Sequence, residues 1–148
     1  MGMGGLFYPN VTPVVLIGTK TGTTRTPVTL TNTYTSNYYV LPVSGHAVLT
    51  FDVHYTTGAS ETGTSVNIKV LDSTDKTNFY SLTNESATGG TSTLTDRVFT
   101  RAGGAGATSY DYSYRMDITY KYLKIQVAES GVSTNYGTVF IEGVLGGN

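Results

Sequence analysis

Apolar and polar residues alternate with a period of two over four long stretches of the chain. In residues 46–55, Leu49, Phe51, Val53 and Tyr55 fall on one side, and Thr50, Asp52 and His54 on the other. In residues 64–72, Val66, Ile68 and Val70 alternate with Ser65, Asn67 and Lys69. Leu123, Ile125 and Val127 alternate with Lys124, Gln126 and Ala128, and Val139, Ile141 and Leu145 oppose Thr138, Phe140, Glu142 and Val144. Successive side chains of an extended chain point to opposite faces, so each stretch predicts a strand with one face on a core. The pattern selects Phe51, Ile68, Ile125 and Ile141 as core and Thr50 and Gln126 as solvent-facing. No stretch sustains the period of an amphipathic helix.

Weaker alternation predicts strands over residues 14–18, 27–32, 38–43, 78–83, 94–101 and 110–119. Turn signals separate them: Ser44-Gly45, Thr57-Gly58, Thr62-Gly63, Gly89-Gly90, Gly103-Gly104 and Ser130-Gly131. The expectation is an all-β fold: a single β-sandwich or jelly roll of about eight to ten short antiparallel strands, with a barrel also open. Residues 14–148 form the one domain. Residues 1–13, with their glycines and prolines and no alternation, read as a flexible N-terminal arm, either disordered or laid on a neighbouring subunit. The run RAGGAGATS over residues 101–109 reads as a long mobile loop.

Composition sharpens this picture. Charged residues are 13% of the 148, about half the usual share of roughly 25%, so 27 Thr and 12 Ser must carry solubility. The net charge is -1 and no basic stripe exists to neutralise phosphates, which argues against direct nucleic-acid binding. With no cysteine there is no disulfide and no thiolate zinc site. The first residues lack a basic start, and no apolar run approaches a membrane span; the chain is expected to carry neither leader nor anchor.

Candidate chemistry is sparse. The glycine-rich run lacks the Lys-Ser/Thr ending of a phosphate loop. His46 and His54 would stand ~26 Å apart in one strand and cannot share a metal. His54 beside Asp52 on the polar face is a conceivable acid–base pair, against a commonplace surface histidine. Asp72 and Asp75 suggest hard oxygen ligands, but the spacing fits an Asx turn better than a calcium loop. No catalytic, cofactor or metal site is therefore assigned.

Tyrosine is more informative: there are 12, with no tryptophan. Tyr110, Tyr112 and Tyr114 share one strand face that continues into Met116 and Ile118. That face is either core with hydroxyls reaching the sheet edge, or a contact surface, since tyrosine supplies large area at low entropy cost. The candidate interface residues are Leu6, Phe7, Tyr8, Tyr38, Tyr39, Tyr110 and Tyr112.

Residues 110–145 (YDYSYRMDITYKYLKIQVAESGVSTNYGTVFIEGVL) resemble the ends of small virion proteins of tailed bacteriophages. The stretches VLTFDVHYTTG and VNIKVLDSTDKTNFYSLTNES are similar to the same group. The resemblance implies a β-sandwich or jelly-roll capsid decoration (cement) protein or related accessory subunit, non-enzymatic, often trimeric, and located in the virion after assembly in the host cytoplasm. Its partners would be the major capsid protein or another virion protein and its own copies. The alternative is a receptor- or carbohydrate-binding module of a phage tail or secreted protein, with a glycan as partner. A hydrolase using His54 and Asp52 ranks last.

Overall fold

The structure is a computed structural model describing residues 11–81, 83–88, 91–96, 98–104, 106–118 and 120–147. It has no helix among the described residues. Its strands are β1 (Thr12–Ile17), β2 (Thr19–Thr21), β3 (Thr24–Thr26), β4 (Val28–Thr29), β5 (Asn37–Pro42), β6 (Val48–Thr56) and β7 (Ser65–Ser73). They continue with β8 (Tyr80–Ser81), β9 (Thr83–Thr88), β10 (Thr91–Asp96), β11 (Val98–Ala102), β12 (Ser109–Asp117), β13 (Tyr122–Ser130) and β14 (Thr138–Gly146). The expected sandwich is present, with more strands than the eight to ten predicted.

Two antiparallel sheets face each other. The first runs β1-β14-β6-β12, with β4 prolonging the β1 edge along β14. The second runs β5-β13-β7-β11, with β8 prolonging the β11 edge along β7. Counting β1 and β4 as one edge, the chain visits first, second, first, second, second, first, second and first sheet in turn. That order makes the sandwich a jelly roll. The β8 strand and the β9–β10 hairpin occupy the connection between β7 and β11.

The inner faces follow the alternation. Phe51, Val53, Tyr55, Val70, Leu123, Ile125, Val127 and Ile141 are fully buried, and Ile68 nearly so. Each sheet offers one apolar face, and burying both faces against each other is the main source of stability. Thr50 is exposed, as the pattern requires.

Several departures have physical causes. The chain joins the sheet at Thr12, paired with Leu145, so the last two residues assigned to the arm belong to β1. Residues 1–10, with Leu6, Phe7 and Tyr8, lie outside the described residues. The unpredicted β2–β3 hairpin connects β1 to β4 and packs on the outer face of the first sheet. Beneath it Phe140 is 1% exposed although parity puts it on the solvent side. Gly18 opens the hairpin at φ 91, where a Cβ would meet the Thr26 carbonyl oxygen at 2.6 Å and the Phe140 ring at 2.7 Å. On the other sheet, Gln126 is 8% exposed, on the face where Tyr34 brings its ring to 5.9 Å from the Lys69 amine.

The segment expected to be a mobile loop is instead wedged. β11 extends to Ala102, and the Gly103 N–H donates to the Thr64 carbonyl at 2.7 Å. The Ala107 N–H reaches the Gly58 carbonyl at 3.3 Å, and a Cβ on Gly106 would sit 2.5 Å from the Ser60 nitrogen. Glycines there allow two loop backbones to touch, which composition alone presents as flexibility.

Candidate functional site

Four connections meet at one end of the sandwich: those after β4, β6, β11 and β13. Two carboxylates fasten the connection after β13, one to the connection after β6 and the other to β6 itself. Glu61, 2% exposed, accepts the backbone N–H groups of Ser133, Thr134 and Asn135 at 2.8, 2.6 and 2.6 Å, together with the Ser133 hydroxyl. These donors favour the charged form and hold the carboxyl at about 2 rather than 4.5. Glu129, 1% exposed, accepts the Tyr55 hydroxyl at 2.5 Å and the Gly137 N–H at 2.7 Å. Burial, followed by the donated hydrogen bond to Glu129, pushes the Tyr55 phenol up. Both carboxylates are structural clasps, with their lone pairs turned to the protein's own donors.

The outer face of the first sheet carries a cluster of charged groups. Glu142 receives the Lys20 amine at 2.7 Å and the Arg25 guanidinium at 2.6 and 2.9 Å. Lys20 and Arg25 stand opposite each other in the β2–β3 hairpin, so Glu142 neutralises a like-charged cross-strand pair and ties the hairpin down. The Lys20 hydrogen bond is the chief cause holding the Glu142 carboxyl below its ordinary range.

His54 does not pair with Asp52. Its Nδ1 lies 2.6 Å from Asp111 on the neighbouring β12, while the Ser113 hydroxyl donates to Asp52. The register explains both contacts: β12 sets Asp111 opposite His54 and Ser113 opposite Asp52. Nε2 of His54 is screened from solvent, has no hydrogen-bond partner among the described residues, and lies 3.9 Å from Glu142. Its ring packs against Phe140 at 6.0 Å between centroids.

The candidate tyrosines divide. Tyr110 and Tyr112 are half-buried on the inner side of β12, their rings stacked 6.2 Å apart. The Tyr112 hydroxyl donates to the Ala102 carbonyl at 3.2 Å across the seam to β11, and the Arg101 guanidinium lies 5.1 Å from its ring. Burial raises the Tyr112 phenol despite that cation. Tyr114 continues the seam into Phe51 and Phe99, with ring centroids 5.4 and 4.9 Å away. This is the margin of the core, with hydroxyls at the sheet edge.

Tyr38 and Tyr39 are different. They stand on β5, the edge of the second sheet, 54% and 42% exposed. Tyr38 shares the outer face with Lys124, whose amine is 4.4 Å from its ring and 5.5 Å from that of Phe79. Tyr39 turns towards β1 and lines a shallow hollow of about 190 Å³ with Leu16, Ile17 and Val28. Tyr80 on β8, missed by the sequence reading, is the most exposed of the large apolar side chains described, at 68%. Its signal was faint: it opens a two-residue strand beside an Asx turn. In that turn Asp75 accepts the N–H groups of Thr77 and Asn78 at 2.8 Å, which depresses its carboxyl strongly.

No family model matches the chain, and no curated protein or solved structure is matched by it.

Proposed function

We propose that this chain is a non-enzymatic structural subunit of a phage particle, a capsid decoration protein that binds and stabilises the head by surface contact. The observation that carries the reading is the set of exposed tyrosines on the second sheet: Tyr38 on the outer face beside Lys124, and Tyr39 and Tyr80, of opposite parity to Tyr38, at the β5 and β8 edges. Tyrosines of this kind contribute rigid, amphipathic contact area and are enriched where proteins meet. The carboxylates of Glu61, Glu129 and Glu142 are each taken up by the protein's own donors, which suits a scaffold that presents a face. Jelly rolls recur in capsid and lectin proteins, an argument from fold that adds support and does not fix function. The resemblance of residues 110–145 to phage virion proteins points the same way. The partner would be the major capsid protein or another virion protein, and the location the assembled virion.

The test is cosedimentation of the purified chain with phage heads that lack it. Saturable binding is expected, weakened at least ~tenfold by Tyr38→Ala or Tyr80→Ala, as loss of an aromatic anchor is worth 2 kcal/mol or more. Absence of saturable binding overturns the reading. The same exposed rings support glycan binding as a second reading, because flat aromatic faces stack on sugars. Retention on a glycan panel, lost in Tyr38→Ala, would favour it over the first.

A further inference from the structure

We infer that β12 is a self-pairing edge, through which two copies of this chain join their first sheets into one continuous antiparallel sheet. The inference is independent of the particle reading, and its partner is a second copy rather than a capsid.

β12 spans nine residues, Ser109–Asp117, and pairs with β6 along its whole length. Among the described residues no strand pairs with its other side. An unpaired edge of that length presents a row of N–H and C=O groups and is a template for another strand. Charges on such an edge commonly repel intruders. Here their order along the strand does more than that.

The outward side chains are Ser109, Asp111, Ser113, Arg115 and Asp117, all exposed. In an antiparallel pair, alternate residues turn their backbone groups towards the partner, so residues of like parity must meet. Consider β12 against its own copy, related by a twofold axis perpendicular to the sheet. An axis at Ser113 sets Asp111 opposite the partner's Arg115 and Arg115 opposite the partner's Asp111. It also sets Ser109 opposite the partner's Asp117, so the full strand overlaps. Every neighbouring register is worse. An axis at Asp111 or at Arg115 sets that charge against itself. One at Tyr114 sets Asp111 against the partner's Asp117. One at Tyr112 matches both charges with serines. The register of greatest overlap is therefore also the register of charge complementarity.

Side-chain geometry agrees. His54 holds Asp111 through Oδ1, while the carboxylate remains 78% exposed and its Oδ2 has no hydrogen-bond partner among the described residues. Arg115 makes no ion pair among the described residues. The inward residues of the pairing, Tyr112 against the partner's Tyr114, add aromatic contact on the other face. An assembly built on this edge has twofold symmetry, different from the trimer that the phage resemblance implies.

Light scattering across a concentration series reads the result directly. Wild type should reach twice the chain mass. Arg115→Asp sets like charges opposite each other at two places and should raise the dimer dissociation constant ~tenfold or more. Ser113→Lys, which places two lysines on the axis, should do the same. The double variant D111R/R115D restores both pairs with exchanged signs and should restore the dimer. Far-UV circular dichroism on each variant separates loss of pairing from loss of fold. A wild type that stays monomeric or forms trimers overturns the proposal. So does a folded Arg115→Asp that dimerises as wild type does, or a folded double variant that stays monomeric.

Discussion

The buried carboxylates show how much one residue can commit. Parity along β13 puts Glu129 on the inner face after Leu123, Ile125 and Val127, and a carboxylate there must find donors or be costly. Tyr55 supplies one of them from the opposite sheet. Tyr55→Phe removes that hydroxyl and little else, leaving a buried acceptor short of a partner. A loss of about 1–3 kcal/mol is expected in denaturant melts. A change near zero would mean that water or Thr64 replaces the lost donor. That Glu129 lies inside was legible in the alternation. Its partner was not, because Tyr55 is distant in sequence and the facing of the two sheets is set by topology.

At the scale of elements, the β2–β3 hairpin changes the meaning of a strand that was otherwise read correctly. Alternation puts Val139 and Ile141 inside and Phe140 outside. Phe140 is nonetheless buried, because the hairpin covers it and Lys20 and Arg25 fasten the hairpin to Glu142. Phe140→Ala is accordingly expected to cost about 3–5 kcal/mol, as a core phenylalanine does. Thr50→Ala on the same outer face should stay within ~0.5 kcal/mol. Equal costs in parallel urea melts would show that the hairpin does not protect this face. The hairpin was missed because each of its strands has only three residues, all exposed. With no buried face there is no hydrophobic alternation to read.

For the whole molecule, the pattern of depressed carboxyls sets the response to acid. Glu61, Asp75 and Glu142 all titrate below their ordinary range in the folded state. Such groups contribute stability that is fully present above their unfolded values, and it is lost as pH falls through the folded ones. For Glu61 that window runs from 4.5 down to about 2. Wild type should hold its melting temperature to about pH 5 and then lose it steadily. Glu61→Gln should melt lower than wild type at pH 7, and the gap should close as pH approaches 2. A gap that persists unchanged at low pH would mean that Glu61 acts through packing rather than through its charge.

The sequence by itself determined the class of fold and the inner faces of β6, β7, β13 and β14, because strand periodicity and hydrophobic burial are local rules. It also determined the poverty of charge and the candidate tyrosines. The tertiary structure alone decided which sheet each strand joins, since strand order depends on crossovers that local patterns do not encode. It replaced the His54–Asp52 pair with His54–Asp111, because register brings residues 57 apart in sequence to one place. It moved Tyr110 and Tyr112 into the seam and left Tyr38 and Tyr39 in solvent, because exposure depends on which edge lies beside which. It turned a glycine-rich stretch from a loose loop into a wedge, because glycine permits close approach as readily as motion, and only the neighbouring backbone selects between them.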